Sequence, residues 1–291
     1  MIKIIDKYFG EMKPNPNLPA LPTTTEQPIT KPIEEEVLGL EAANVSLGWR
    51  VGGWATPDKD MLDIISLIMN NGQAGLIDLN LLREQKVLSA YSGAYSMADY
   101  CAFVMSATPK EGQTLEQVRD LLLGEVEKLK KGKFSQELIT ASINNMKLSE
   151  MYRIENNSAR ANWFVNSFIN GTDWANEVTR IDRIAKITKK QIMDFANEKF
   201  GNNYAVIYKR EGKDPTELKI DKPQITPIAT NRDVSSEFVK EIQNDKVTPI
   251  EPVFLDFDKD MKILKAKSDI PVLYKQNVTN GVFSLIYVFD M

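Results

Sequence analysis

The chain has 291 residues, 43% of them hydrophobic and 26% charged, with a formal net charge of −4. That balance suits one large or two modest globular domains and gives no reason to expect nucleic acid or an anionic membrane as partner. The chain has no histidine, which excludes histidine-based zinc sites, Ser-His-Asp and Cys-His catalysis and imidazole acid–base chemistry within this polypeptide.

A single cysteine, Cys101, rules out an internal disulfide and reads as a small core residue. No apolar run approaches the ~18 residues of a membrane-spanning helix. The first residues carry interrupting charges and no small-residue cleavage site, so a signal peptide is not expected, and a soluble chain of the cytoplasm or periplasm is.

In chain order, Ile2, Ile5, Tyr8 and Phe9 have a helical period ended by Gly10. Six prolines between residues 13 and 33 (Pro14, Pro16, Pro19, Pro22, Pro28 and Pro32) mark an extended linker. Residues 1–33 are therefore expected to be the tail of a preceding domain plus this linker. Val45 to Val51 alternates as a strand, broken by Gly52-Gly53. Thr56-Pro57-Asp58 opens a helix whose apolar stripe runs Met61, Leu62, Ile64, Ile65, Ile68, Met69. A short helix is expected over about 76–86, then strands over about 88–97 and 100–107, the second apolar enough to be central in a sheet. Thr114 with Gln117 forms a capping-box pattern for a helix to Lys131. Ser135 opens another, residues 158–170 and 173–185 look helical, and Thr188 caps a helix to Phe200 before a strand at Tyr204–Tyr208.

Residues 34–210 thus form an α+β two-layer sandwich, a split β-α-β unit with a helical insert and a mixed or antiparallel sheet. Residues 211–250 look like a second linker. Residues 251–291 are expected to open a new set of strands, at Pro271–Tyr274 and Val282–Phe289, the start of a further half-domain. Both flanks read as parts of a longer protein.

With this order of elements, Leu82-Arg83-Glu84 followed by Leu88-Ser89-Ala90-Tyr91-Ser92 resembles the insulinase/pitrilysin-type zinc peptidases, which include mitochondrial processing peptidases. The Val45–Val51 strand, the Thr56-Pro57-Asp58 helix start, the apolar helix over 60–72 and the late strand at Tyr204–Tyr208 support the likeness. In that family one half-domain carries an inverted zinc motif, His-x-x-Glu-His, and the next has the same fold without it. The resemblance places this chain with the metal-free half. It implies no cofactor here, zinc in a missing catalytic half supplied in cis or by a partner subunit, and a peptide or unfolded protein as substrate. It further implies that Arg83 and a tyrosine reach substrate and a developing oxyanion, both being hydrogen-bond donors. The tyrosine position of the pattern falls on Ala90, and Tyr91 lies one residue later, a slip that turns a strand side chain to the other face.

Each signal has a plainer reading. Arg83 is equally a solvated charge at a helix end paired with Glu84 or Asp78, and Tyr91 and Tyr95 are ordinary strand tyrosines. Glu125, Glu127 and Glu150 read as solvated faces, and Trp163, Phe164, Phe168 and Trp174 as helix core. Asp256, Asp258 and Asp260 lack the glycine and closing glutamate of a calcium loop. The expected function is the non-zinc wall of a cleavage chamber, inactive alone. The alternative is a non-catalytic scaffold or peptide-binding subunit of the same fold. A stand-alone ligand-binding protein of ferredoxin-like fold is a third reading.

Overall fold

The alternation in Val45–Val51 decides the centre of the molecule. In the computed structural model, which describes residues 2–20, 25–213, 215–216, 222–228, 230 and 234–290, Asn44–Gly52 forms strand β2. Its odd positions Val45, Leu47, Trp49 and Val51 are buried, while Ser46, Gly48 and Arg50 face the other way. β2 pairs antiparallel with β4 (Tyr100–Thr108) on one side and β5 (Tyr204–Glu211) on the other. β3 (Ser89–Ser96) pairs antiparallel with β4 at one edge. β1 (Ile33–Gly39) pairs parallel with β5 at the other edge, so the sheet order is β1-β5-β2-β4-β3.

Helices cover only one face. The stripe of α2 (Pro57–Met69) buries Leu62, Ile64, Ile65, Ile68 and Met69. Val118, Leu122, Val126 and Leu129 of α3 (Leu115–Lys130) join them, as do Ile192, Phe195 and Ala196 of a later helix (Lys189–Lys199). Trp49 is the hub: its ring lies 5.5 Å from Phe200 and 5.4 Å from Tyr204, and its indole N–H donates to the Gly201 carbonyl at 3.0 Å. That bond satisfies a buried donor while three aromatic rings fill the space between β2, β5 and the chain end of the helix. The expected capping box forms at Thr114/Gln117, and the expected Thr188 cap forms a second one with Gln191, each satisfying two orphan helix donors. Gly53 cannot be replaced, because a Cβ there would sit 2.1 Å from the Ala98 carbonyl oxygen.

The remaining helices are α1 (Ile2–Phe9), α4 (Gln136–Glu155), α5 (Asn157–Ile169), α6 (Trp174–Val178) and α7 (Arg180–Ile184); Lys189–Lys199 is then α8. The expected single helix over 173–185 is two, broken at Thr179, whose hydroxyl donates to the Ala175 carbonyl at 2.7 Å. Such back-bonding competes with the helical ladder. The expected helix over 76–86 ends at Leu82 in one π-helical turn, Asp78–Leu82. Trp163, Phe164, Phe168 and Trp174 are not core. Phe164 and Phe168 are exposed, and Phe164 stacks on Trp174 with ring centroids 4.1 Å apart as a surface cluster. Cys101 is fully buried in β4.

The strand β1 has no signature in the alternation, because its run Glu34-Glu35-Glu36 is charged at three consecutive positions. Distant partners stabilise it: Arg210 pairs with Glu36 at 2.8 Å and Glu116 at 2.7 Å, and the Tyr208 hydroxyl donates to Glu34 at 3.2 Å.

The chain divides into two compact units, residues 1–213 and 214–291. The second contains α9 (Glu237–Asn244), α10 (Phe257–Asp260) and a hairpin of β6 (Lys262–Lys265) and β7 (Pro271–Tyr274). Helix α9 lies inside the stretch expected to be irregular; its Ser236 side chain caps the Val239 N–H. Val282–Phe289 is not a strand. No described strand pairs with it, and a ladder requires a partner for its N–H and C=O groups. Pro22, parts of the 211–250 linker and the terminal methionines fall outside the described residues. No helix among the described residues is long and apolar enough to cross a membrane.

Candidate functional site

The face of the sheet turned away from the helices is built from small and polar side chains. In register across it lie Ser46 and Ser106, Gly48 and Val104, and Arg50 and Ala102, with Tyr91, Gly93 and Tyr95 on the edge strand β3. Ser46 and Ser106 join by their hydroxyls at 2.9 Å. Because strand side chains alternate, the residues that packed the core leave a shallow surface on their reverse that the helices do not cover. Tyr91 and Tyr95 stand on this open face, 49% and 58% exposed, whereas Ala90 is buried beneath the helices. Ala90 and Tyr91 thus occupy opposite faces of the sheet.

Arg83 sits on the turn that leads into β3, and its backbone is held tightly. The Arg83 N–H donates to the Asp78 carbonyl at 2.8 Å, Lys86 N–H to Leu81 at 2.8 Å and Leu88 N–H to Thr108 at 3.0 Å. Gln85 adopts a left-handed φ of 50° within it, and the Gln113 amide donates to the Lys86 carbonyl. The Asp78 carboxylate, itself buried, accepts from Asn71 N–H at 2.8 Å, Gly75 N–H at 2.9 Å and the Asn70 amide. Asp78 is thus committed to the backbone and Glu84 to Lys86 at 3.5 Å. Neither is the Arg83 partner expected of a simple surface charge. Among the described residues the exposed Arg83 guanidinium has no ion pair, and none of them links it to Tyr91.

Glu125 contradicts its reading as a solvated carboxylate: it is 2% exposed. It accepts from the Asn80 amide at 2.7 Å and Lys128 at 2.8 Å, tying the π-helical turn before Arg83 to helix α3. Lys128 one turn along the helix and Asn80, far away in sequence, together make that burial tolerable. Glu127 and Glu150 are surface residues paired with Lys130 and Arg153.

A second concavity of about 420 Å³ lies where α2 begins, lined by Trp54, Lys59, Asp60, Glu177, Arg180 and Arg183. Its charges satisfy one another. Lys59 and Arg180 both hold Asp63, and Arg183 holds Asp60 at 3.0 Å. Burial pushes the Glu177 carboxyl up, but hydrogen bonds from Thr172, Trp163 and Trp54 outweigh it and leave the group below its ordinary range. This is a clasp between α2 and α6–α7 rather than a site with unmet valence. The described residues contain no group of three or more Cys, Asp or Glu placed to hold a metal ion. With histidine missing from the sequence as well, the described residues offer no ligand set that fits zinc.

The family model of the Peptidase M16 inactive domain matches residues 1–146. The chain belongs to that family. Its fold is similar to a protease from Helicobacter pylori, with a TM-score of 0.67 at 19% identity over 72% of this chain and 52% of that one. It is also similar to the peptidase M16 inactive domain from Pseudomonas fluorescens, with a TM-score of 0.56 at 12% identity, covering 68% of this chain and 48% of that one. The periplasmic protease PqqL from Escherichia coli aligns with 96% of this chain and 34% of its own length, at 8% identity and a TM-score of 0.58. The M16 inactive-domain chain thus spans about half the length of the first two structures. No curated protein matches it by sequence. The α+β sandwich and its kinship to the insulinase type are as the Leu82-Arg83-Glu84 stretch implied, and the domain relates to zinc proteases through a family described as inactive.

Proposed function

We propose that this M16 inactive domain forms the non-zinc wall of a peptide-cleavage chamber in an insulinase/pitrilysin-type metalloendopeptidase and is inactive by itself. The zinc and its glutamate base belong to a catalytic half, in cis or on a partner subunit. The wall is the open sheet face, and Arg83 is its charged contact for a peptide or unfolded chain. In this reading residues 34–210 are the metal-free half-domain, residues 1–33 and 211–250 are connectors, and residues 251–291 begin a following half-domain.

The observation that carries the reading is the state of Arg83. A guanidinium with no ion pair among the described residues stands on a turn whose backbone is locked by Asp78 and by the Asn80–Glu125 pair. An unneutralised donor carried on a fixed backbone suits an oxyanion or a substrate carbonyl, because its charge is not already spent on a partner within the chain. Tyr91 offers a second donor on the open face.

The test is hydrolysis of an internally quenched peptide by this chain together with its zinc-bearing half. Arg83→Ala is expected to lower kcat/KM by about a hundredfold, the scale of losing one such donor, with Arg83→Lys partly restoring it. A wild-type rate for Arg83→Ala overturns the assignment. The chain alone should cleave nothing and carry no stoichiometric zinc in metal analysis. The scaffold reading is favoured by one observation: Ala90, at the tyrosine position of the resemblance, is buried and has no hydroxyl. It predicts no hydrolysis even with the zinc half present.

A further inference from the structure

Arg50 and Tyr100 face the open side of the sheet, where nothing from the core competes for them. Arg50 is opposite Ala102 in the register, and Tyr100 is opposite Gly52, so both side chains reach over small neighbours. The guanidinium lies 5.0 Å from the centre of the Tyr100 ring, a cation–π contact that fixes both groups. A peptide already occupies the pair. The Pro-rich segment before β1 crosses here: Arg50 donates to the Gln27 carbonyl at 2.5 Å, and its guanidinium lies 3.9 Å from the Glu26 carboxylate. The Glu26 N–H donates to the Tyr100 hydroxyl at 3.0 Å. Gln27 precedes Pro28, which biases its backbone to the extended form.

We infer that Arg50 and Tyr100 form a binding subsite for an extended acidic peptide, filled in this chain by its own Glu26-Gln27 acting as a displaceable strap. The backbone is read at two consecutive residues, an N–H by the hydroxyl and a C=O by the guanidinium, and the carboxylate is read by charge. The strap is weakly held. The side chain of Glu26 is 54% exposed and that of Arg50 28%, and an ion pair so open to water contributes little. Its advantage over an incoming peptide is tethering: a short linker presents it at an effective concentration near millimolar. An acidic segment of a substrate, or of another chain, competes with it directly. This deepens the peptide-binding reading above. The test needs no zinc half and no Arg83, so the two ideas fail separately.

The experiment uses the full chain and a fluorescein-labelled peptide with the sequence of residues 25–30, followed by anisotropy. Replacing residues 25–30 by glycine and serine is expected to tighten binding of the labelled peptide about tenfold or more over the wild-type chain, because the tethered competitor is gone. In that strap-replaced background Arg50→Ala should weaken binding about tenfold, Arg50→Lys should recover part of it, and Tyr100→Phe should weaken it less. A peptide with lysine in place of the glutamate should bind no better than to Arg50→Ala. Circular dichroism of each variant separates loss of binding from loss of fold, and Tyr100→Phe keeps the ring where Arg50→Ala proves unstable. Absence of binding to the strap-replaced chain, or binding insensitive to both Arg50 and Tyr100, overturns the subsite. Equal affinity in the wild-type and strap-replaced chains overturns occupation by the strap.

Discussion

The two faces of the central sheet are made by the same strands and differ in almost everything else. On the helix side Val45, Leu47, Trp49, Phe103, Met105 and Val206 are buried among the stripes of α2, α3 and α8. On the open side the same strands present Ser46, Gly48, Arg50, Ala102 and Val104. The buried face supplies stability through apolar area and close packing. The open face contributes little to that and is free to hold groups chosen for contact. The two edges repeat the lesson. Edge β1 carries Glu34, Glu35 and Glu36, charges that discourage pairing with another chain. Edge β3, Ser89 to Ser96, has no charge at all and places two tyrosines beside its free ladder.

The sharpest way to break this contrast is in the core. Trp49→Ala removes a fully buried ring and an indole bond to Gly201, and it is expected to cost about 3–5 kcal/mol in chemical denaturation. A loss under about 1 kcal/mol would mean that the aromatic hub does not hold the sheet to α8.

Between the faces lies the Asn80–Glu125 pair. Asn80→Ala takes one of two partners from a buried carboxylate and is expected to cost about 1–3 kcal/mol by the same measurement. Because Asn80 lies in the π-helical turn before Arg83, amide exchange at Arg83 and Lys86 should also accelerate. Unchanged exchange would show that the turn does not depend on Glu125.

The clasp at Glu177 gives the pH test. Its folded-state pKa is lowered, so its contribution to stability is present above the ordinary value of 4.5 and is lost as pH falls through the folded one. The Tm should therefore be flat in this respect near neutrality and fall below about pH 4.5. Glu177→Gln should flatten that fall, and an identical acid profile for the variant would remove Glu177 from the account.

The smallest effect belongs to the two exposed contact candidates. Arg83→Ala and Tyr91→Phe should each change stability by less than about 0.5 kcal/mol, since both side chains are exposed and outside the packed layer. A larger loss from either would assign it to the scaffold rather than to contact with a peptide.

The strands β2 and β4 and the helices α2, α3 and α8 were legible in the sequence because their signals are local. Period-two alternation, a wide apolar stripe, the Thr114/Gln117 capping box and the Thr188 cap each satisfy the chain within a few residues. The Leu82-Arg83-Glu84 stretch likewise announced its family. The split of 173–185 into two helices, the π-helical turn and the absence of a strand at Val282–Phe289 were not legible, because each is decided by a hydrogen-bond partner and not by a pattern. Strand β1 depends on Arg210 and Tyr208, and the burial of Glu125 on Asn80, in each case a group brought near only by folding. Arg83 shows the division most clearly. Its residue type and neighbours came from the sequence alone. That no described residue pairs with it appears only in the folded chain, where Asp78 turns to the backbone of Asn71 and Gly75 and Glu84 to Lys86. A carboxylate has a limited number of lone pairs, and which donors reach them is settled by the fold.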